Sequence, residues 1–204
     1  MVIKGESIIL RDYIKTDIDD DIYWETVENE WKFWDSPWEY DSRELFDPHK
    51  FREKKLKSLS EQKDEKRIRR TFEIWVNNKE KTHIGGCGSY DIDDNYQYTK
   101  GGGKCAIGIA ICSIEARRKG YATSALKTFI YYLMSKGIYE IYTQTWSGNY
   151  RMIGLAEKLG FEQCNREENL RKVRGQYYDN LTFKLYIDNF IKKHPLVLNY
   201  KVSY

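Results

Sequence analysis

Residues 117–123 combine three features that favour the binding of an anion. Three consecutive cations and a glycine open the stretch, namely Arg117, Arg118, Lys119 and Gly120, and an apolar helical pattern follows them. The first turn of a helix presents backbone N–H groups without intrahelical partners, and it carries a partial positive charge. A glycine there lets an oxyanion approach the backbone, and Thr123 adds a hydroxyl group. The stretch therefore predicts a phosphate-binding turn, although a basic surface turn before an ordinary helix would contain the same residues.

Residues 16–47 form an acidic segment that is rich in tryptophan. They hold twelve acidic residues against Lys32 and Arg43, a net charge of −10, which leaves +13 on the rest of a chain whose total charge is +3. Four of the six tryptophans lie there, at positions 24, 31, 34 and 38. An ammonium group over an indole face gains about 0.5–2 kcal/mol. The segment thus predicts a site for a cationic ligand, while the helical spacing of the last three tryptophans equally fits a packed core.

Several classes of protein and of site are disfavoured by the sequence. No stretch approaches the roughly 18–20 apolar residues of a membrane span, and the N-terminus lacks the pattern of a signal peptide, so we predict a soluble, cytoplasmic protein with no membrane partner. The four cysteines show no metal-binding spacing and the three histidines are scattered, so we predict no metal. The charged run over residues 53–70 lacks interleaved aromatic residues, and we predict no nucleic-acid partner.

The spacing of apolar residues predicts an α/β (α+β) fold with a mixed sheet. Strands are predicted over residues 2–11, 69–76, 83–92, 105–112, 140–146, 161–167 and 176–187, and the second and third of them form a hairpin. Helices are predicted over residues 17–31 and 42–60, between Gly120 and Gly137, and over 149–160. The run 105–112 is predicted to be a central strand that is buried on both faces.

Two motifs in the second half of the chain resemble the core of the GNAT acetyltransferases. The family signature Q/R-x-x-G-x-G/A stands here as residues 117–122, and the Asn that opens a helix ending in Lys-x-Gly-Phe stands as Asn149, with the helix ending at residues 158–161. Over residues 2–187 the chain resembles the branch that contains ribosomal-protein alanine N-acetyltransferases and spermidine acetyltransferases. The resemblance implies a twisted mixed sheet of about six to seven strands flanked by about four helices, with a splay between the two central parallel strands.

The resemblance also implies acetyl-CoA as the cosubstrate and a set of residues that hold it. The turn 117–122 would bind the pyrophosphate, the backbone of residues 111–113 would bind the pantetheine arm, and a backbone N–H would hold the oxyanion of the tetrahedral intermediate. Three phosphate groups suit a body that carries +13. The expected contacts are Ile111, Cys112, Ser113, Arg117, Arg118, Lys119, Gly120, Tyr121, Ala122, Thr123 and Asn149.

One position departs from the family pattern. Many members have a Tyr two residues before the Lys of Lys-x-Gly-Phe, where it protonates the leaving thiolate, but this chain has Ala156, as members of the ribosomal-protein branch often lack the Tyr. The catalytic residues are therefore left unknown. Candidates for the acid, by residue type alone, are Tyr121, Tyr150 and Tyr177. Candidates for the base are Glu25, Glu28, Asp35 and Glu39.

These expectations describe one N-acetyltransferase domain over residues 1–188. The acetyl group would move from acetyl-CoA to a primary amine by direct attack in a ternary complex, without the alternative of a thiol intermediate at Cys112. The acceptor is a small amine, such as a polyamine, or a protein N-terminus, with candidate contacts at Trp24, Trp34, Asp35 and Trp146. A non-catalytic acyl-CoA-binding module is the alternative function. Residues 189–204 form an extension that is an edge strand or a dimer contact, and a monomer and a homodimer both remain open.

Overall fold

The computed structural model describes residues 1–40, 45–61 and 68–195 and the backbone of residues 201–203. Ten strands are present in these ranges: β1 (Val2–Lys4), β2 (Ile8–Arg11), β3 (Thr71–Val76), β4 (His83–Ile92), β5 (Tyr98–Thr99), β6 (Lys104–Ile111), β7 (Ile141–Trp146), β8 (Phe161–Val173), β9 (Gln176–Leu185) and β10 (Lys201–Ser203). They form one sheet in the order β10-β1-β2-β3-β4-β6-β7-β9-β8, and β5 pairs with β4. The predicted mixed α/β fold is confirmed, and the sheet contains more strands than expected.

Two features of the sequence account for the longer sheet. The run 2–11 was predicted to be one strand, but it turns after Lys4, where the N–H of Gly5 donates to the carbonyl of Ile8, and it becomes the hairpin β1–β2. β10 pairs antiparallel with β1 at the sheet edge. The hairpin β3–β4 forms as predicted, and β8 continues six residues beyond its predicted end because it pairs along most of its length with β9.

Six α-helices lie in the described ranges, α1 (Asp17–Thr26), α2 (Pro37–Tyr40), α3 (Pro48–Ser60), α4 (Tyr121–Ser135), α5 (Tyr150–Leu159) and α6 (Ile187–Lys193), with 3-10 turns at Glu30–Phe33 and Ile114–Ala116. The helix predicted over 17–31 ends at Thr26, where the N–H groups of Val27 and Glu28 both donate to the carbonyl of Tyr23, and the Glu28 carboxylate accepts a hydrogen bond from the N–H of Ile114 (2.5 Å). Part of the helix predicted over 42–60 lies outside the described residues; α3 begins where Asp47 caps the N–H groups of His49 and Lys50. No helix of the described ranges combines the length and apolar character that crossing a bilayer requires.

The apolar stripe of α4 packs on one face of the sheet. Leu126, Phe129, Ile130 and Leu133 are fully buried there together with inward-facing residues of β2, β3 and β6. The other face of the central strands carries small residues instead, because Gly86 pairs with Ala110 and Gly88 pairs with Gly108. This second face is therefore open enough to receive a ligand.

The central strands β6 and β7 are parallel and diverge along their length. They pair only from Cys105 with Ile141 to Ile107 with Thr143, although β6 continues to residue 111 and β7 to residue 146. The prediction that β6 is buried on both faces was wrong for its second half, since residues 108–111 are only half-buried. The predicted splay between the two parallel strands is present, and it opens a gap in the sheet.

Candidate active site

A cavity of about 640 Å³ occupies the gap between β6 and β7. Its walls come from the second half of β6, the end of β7, the first turn of α4, one side of α5 and the segment 31–38 that crosses over the sheet. A volume of this size is in the range of small-molecule and cofactor sites. The strand residues that face each other across the gap have no ladder partner there, so their backbone groups are available to a ligand.

The turn before α4 presents bare backbone to the cavity. Gly120 has φ of +83°, in the left-handed region, and Arg118 also has a positive φ of 61°. No side chain caps the helix, so the first N–H groups of α4 have no capping partner. A Cβ placed on Gly120 would meet nothing within 4 Å, which shows that the space beside the turn is open. This geometry can hold an anionic group at a helix N-terminus.

Arg117 lines the cavity, but its guanidinium is used inside the protein. Its Nε donates to the carbonyl of Ile111 and its Nη2 to the carbonyl of Cys112, both at 3.2 Å, and it forms an ion pair with Glu30. These bonds cap the end of β6 and tie it to the acidic segment. In this arrangement Arg117 positions the strand, whereas Arg118 carries its charge beside the exposed turn.

Glu30 links three parts of the site. It pairs with Arg117, lies 3.8 Å from a guanidinium nitrogen of Arg151, and accepts a hydrogen bond from the indole N–H of Trp34 (3.3 Å). Burial alone would raise the pKa of Glu30, but the hydrogen bonds from Trp34 and Arg117 outweigh it, and the net pKa is lowered. Glu30 is therefore held as a carboxylate, and it fixes the crossing segment to α5 and to the turn before α4.

Asn149 stands at the start of α5, as the sequence predicts, and both ends of its amide are used. Its Oδ1 accepts from the N–H of Met152 (3.1 Å), which caps the helix, and its Nδ2 donates to the carbonyl of Trp34 (2.9 Å). The indole N–H of Trp146 donates to the same carbonyl at 3.0 Å. The residue that opens α5 thus also anchors the tryptophan-rich segment over the gap.

The segment 31–38 supplies the aromatic wall of the cavity. Trp31, Trp34 and Trp38 line it together with Asp35, the single carboxylate among the described lining residues. Trp34 lies under the guanidinium of Arg151, 3.9 Å from its ring, and its ring meets that of Tyr150 edge to face at 5.1 Å. Of the predicted acceptor contacts, the structure brings Trp34, Asp35 and Trp146 to one cavity, and Tyr150 lies beside them.

Of the predicted cofactor contacts, Ile111, Tyr121, Ala122 and Thr123 also line the cavity, whereas several other predicted site residues lie outside its lining. Cys112, Ser113 and Lys119 do not line the cavity, and the N–H groups of Cys112 and Ser113 both donate to the carbonyl of Ile84. Trp24 is buried against the ring of His83, with 4.8 Å between the ring centroids. Of the four acidic candidates for the base, Asp35 lines the cavity, whereas Glu25 pairs with Lys32 and Glu28 accepts a hydrogen bond from the Ile114 N–H. The latter two carboxylates stabilise the crossing segment, and they are outside the cavity lining.

Most charges of the acidic segment are used in ion pairs. Of the ten acids of this segment that the structure describes, at least seven pair with a basic side chain, namely Asp17 with Arg11, Asp19 with Arg52, Asp20 with His83, Asp21 with Lys55, Glu25 with Lys32, Glu30 with Arg117, and Asp47 with Lys50. Ion pairing neutralises much of the field that the sequence count suggests. The cavity lining itself carries four cations, Arg117, Arg118, Arg151 and Lys158. The net charge near a ligand is consequently more positive than the charge of the segment predicts.

A buried ion-pair cluster stands beside α1. His83 contacts Asp20 through Nδ1 at 2.9 Å and Glu73 through Nε2 at 3.0 Å, and Asp17 also pairs with Arg11. Burial lowers the pKa of His83, but its hydrogen bonds with Glu73 and Asp20 outweigh burial, and the net pKa is raised. Asp17, Asp20 and His83 are close enough to share a cation, yet their ligand atoms already bond to Arg11 and to each other. The cluster joins α1 to the sheet.

Several lining residues were missed by sequence reasoning. Gly108, Ile109 and Ala110 on β6, Gln144 and Thr145 on β7, and Arg151, Met152, Gly154, Leu155 and Lys158 on α5 all line the cavity. Two glycines carried a signal, since Gly108 interrupts an apolar strand and Gly154 lies inside a helix, and glycine at such positions often marks a close backbone approach. Ala156, the position at which the family resemblance implies a Tyr, is fully buried in the core and contributes no hydroxyl.

Comparison with known families places most of the chain in one domain type. The family model described as "Acetyltransferase (GNAT) domain" matches residues 7–162, which include the β6–β7 gap and the turn before α4. A comparison with curated proteins returns no significant sequence match.

Similar solved structures share the fold over nearly their whole length. A ribosomal-protein-S5-alanine acetyltransferase from Vibrio fischeri has a TM-score of 0.67 at 16% identity, with 93% of this chain and 98% of that chain covered. An acetyltransferase (GNAT family) from Bacillus anthracis has a TM-score of 0.66 at 14% identity, covering 91% and 98%. A spermidine N-acetyltransferase from Vibrio cholerae, in complex with CoA and spermine, has a TM-score of 0.64 at 15% identity, also covering 91% and 98%. At these identities the likeness concerns the fold.

Proposed function

The chain belongs to the GNAT acetyltransferases, and from this premise we propose that it transfers the acetyl group of acetyl-CoA to a primary amine. The observation that carries the proposal is the juxtaposition, in one cavity, of an uncapped helix N-terminus and the unpaired backbone of two diverging parallel strands. The first suits a pyrophosphate and the second suits the amides of a pantetheine arm. A neighbour of the same fold is in complex with CoA.

The residues present fit this cosubstrate. The turn at Gly120 and the first N–H groups of α4 would hold the pyrophosphate, with Arg118 adding charge beside it. The splayed backbone of residues 108–111 would hold the pantetheine arm, because Gly108 leaves open space on its surface. Asn149 would act indirectly: by donating to the Trp34 carbonyl, it holds the segment 31–38 over the gap.

The chemistry proposed is direct attack in a ternary complex. The neutral amine nitrogen attacks the thioester carbonyl, a C–N bond forms, the C–S bond breaks, and the proton lost by the amine balances the proton gained by the thiolate. A backbone N–H in the unpaired part of β6 would stabilise the oxyanion. No side-chain acid is required in principle, since a thiol of pKa about 8.5 leaves readily near neutral pH.

The amine would meet the wall formed by Trp34, Asp35 and Trp146. Indole faces and one carboxylate can attract an ammonium before it loses its proton. Asp35 also influences this side of the cavity, because burial first and its negative charge second raise the pKa of Tyr90. The neighbours act on spermidine in one case and on a ribosomal protein in another, so both small amines and protein N-termini belong in the test.

The experiment is release of free thiol from acetyl-CoA, combined with mass spectrometry of the acceptor. The panel should contain polyamines, simple monoamines, amino acids and peptides with different N-termini. We expect one class of acceptor to gain about 42 Da, the mass of an acetyl group less the hydrogen atom that it replaces. One thiol should be released for each acetyl group transferred. Binding of acetyl-CoA without product in any class would instead favour a non-catalytic acyl-CoA-binding module, which the buried Ala156 makes the second candidate.

A further inference from the structure

Two arginines of the β8–β9 hairpin flank the aromatic wall on its outer side. The guanidinium carbon of Arg171 lies 4.6 Å from the ring centroid of Trp38, which lines the cavity. The guanidinium of Arg174 lies 4.8 Å from the ring of Phe33 and donates to the Phe33 carbonyl at 3.5 Å. Arg171 therefore contacts a residue that lines the cavity, and Arg174 contacts Phe33, which directly precedes the lining residue Trp34.

Neither guanidinium is neutralised within the part of the chain that the structure describes. Arg171 and Arg174 form no ion pair there, and the Nε of Arg171 is buried without a hydrogen-bond partner. The contrast is with Arg166 on the same hairpin, whose Nε donates to Asp179 at 2.7 Å. The positive charge of the pair is thus available to a ligand.

Cations outnumber carboxylates in and around the site. Asp35 is the single carboxylate among the described lining residues, against four lining cations, and Arg171 and Arg174 add two more behind Trp38 and Phe33. A polyamine carries a second ammonium a few atoms from the first, and that ammonium would approach the rim cations. An acceptor with a carboxylate in that position would be attracted instead.

We propose that Arg171 and Arg174 form a specificity subsite for an anionic group on the acceptor. The acceptor is then an amine on a molecule that also carries a carboxylate, with a peptide whose third residue is Asp or Glu as the best fit, and it is not a polyamine. The inference rests on the proposed acetyl transfer. One indole separates the cavity from the rim, so the two groups should be about 10 Å apart, which is about three residues of extended chain.

Matched acceptors isolate the charge. The first pair is 8-aminooctanoate and 1,8-diaminooctane, which have the same chain length and differ in the distal group, with octylamine as the uncharged reference. The second pair is the peptides AAEA and AAKA, amidated at the C-terminus. We expect kcat/KM to be about tenfold higher for the carboxylate member of each pair at low salt, and the preference to shrink as salt screens the charges. Comparison of kcat/KM for 8-aminooctanoate with kcat/KM for AAEA also shows whether the acceptor is a small amino acid or a peptide.

Variants then locate the subsite. Arg174→Glu changes an exposed side chain and should reverse the preference between AAEA and AAKA, and Arg171→Gln should reduce it without reversing it. The matched control is Lys172→Glu, which makes the same change of charge on the same hairpin, but at a side chain that lies 5.9 Å from the ring of Tyr177 and not beside Trp38 or Phe33. It should leave the preference unchanged. Thermal unfolding of each variant checks that Trp38 packing and the fold are retained.

The outcomes separate the two proposals. Acetylation of amines with equal kcat/KM for both members of each pair, or with a preference for the diamine, would overturn the anionic subsite and leave acetyl transfer intact. An equal loss of preference in Lys172→Glu and Arg174→Glu would also overturn it, since the effect would then be general electrostatics. Acetyl-CoA binding without any product would overturn the proposed function and the subsite together.

Discussion

Substitution of Gly120 tests the assignment of the pyrophosphate to the turn before α4, and Gly137, just after the other end of the same helix, provides a control. Gly120 precedes α4 with φ of +83°, and Gly137 follows it with φ of +81°. A Cβ at either position would meet nothing within 4 Å. The two glycines therefore have the same backbone conformation and the same free space, and they differ in that Gly120 lines the cavity between β6 and β7.

The stability cost of alanine should be the same at both ends. An L-residue in the left-handed region costs about 1–2 kcal/mol, so Gly120→Ala and Gly137→Ala should each lower the free energy of unfolding by about that amount. For a domain of 204 residues this corresponds to a melting temperature lower by about 2–4 °C per kcal/mol. Neither substitution removes a packing contact. A larger loss of stability at one of the two glycines would therefore reflect a local contact in the ligand-free protein.

Glutamate at the two glycine positions separates the effect on protein stability from the effect on acetyl-CoA binding. A carboxylate at the N-terminus of α4 complements the helix dipole and one at the C-terminus opposes it, each by about 0.3–1 kcal/mol, so Gly120→Glu should be more stable than Gly137→Glu. Binding should show the reverse order. A carboxylate about 5 Å from a phosphate charge repels it by about 1–3 kcal/mol at effective dielectric constants between 20 and 80, a loss of about 5-fold to 150-fold in affinity.

The assay is calorimetric titration of acetyl-CoA into each variant, with chemical unfolding in parallel. We expect Gly137→Glu to bind as the wild type does and Gly120→Glu to bind much more weakly, although it is the more stable of the two. Equal dissociation constants for the two glutamate variants would refute the assignment of the turn to the pyrophosphate. If both glutamate variants bind acetyl-CoA equally and more weakly than the wild type, the loss of affinity is a general effect of net charge.

Three further perturbations test other parts of the reasoning. Asp35→Asn should lower kcat/KM for the amine by about tenfold while the dissociation constant of acetyl-CoA stays within twofold, as titration and initial rates would show. Cys112→Ala should retain activity, because burial, followed by the charges of Asp21 and Glu73, raises the pKa of the thiol and leaves no thiolate to carry an acetyl group; loss of activity in a folded variant would support the thiol intermediate. His83→Gln should destabilise the protein by about 3 kcal/mol at pH 6. The folded pKa of His83 is raised, so protonated His83 stabilises the wild type. This stabilisation is fully present below the unfolded pKa of about 6.5 and is lost as pH rises through the folded pKa. The free energy of urea unfolding should therefore differ between pH 6 and pH 9 in the wild type, and this difference should disappear in the variant.

The parts of the site that are local in sequence could be predicted from it. The turn at Gly120 and the helix opened by Asn149 depend on residues within a few positions of one another, and both appear where the spacing predicts. The strand β6 was placed within one residue, but its exposure was not, because the gap depends on where β7 stops pairing with it. The sequence of β6 alone does not show how far β7 pairs with it.

The function of individual charges could not be predicted, since it depends on partners far away in the chain. Glu30 meets Arg117 across 87 positions, and Glu28 meets Ile114 across 86. Counting acids over residues 16–47 gave the correct net charge but suggested a negative site, whereas the fold pairs most of the described acids with basic side chains. Trp24 was taken for an acceptor contact on its residue type, and the fold places it against His83.

The divergence of β6 from β7 has a consequence for amide hydrogen exchange. Backbone groups of residues 108–111 and 144–146 that point into the gap lack the ladder bonds that slow exchange elsewhere in a central sheet. The middle of the molecule therefore contains amides that exchange with solvent deuterium as readily as those of an edge strand. A pantetheine arm seated in the gap would complete the interrupted ladder and protect these amides, so the deuterium uptake of two interior peptides reports occupancy of the site without any acceptor or turnover.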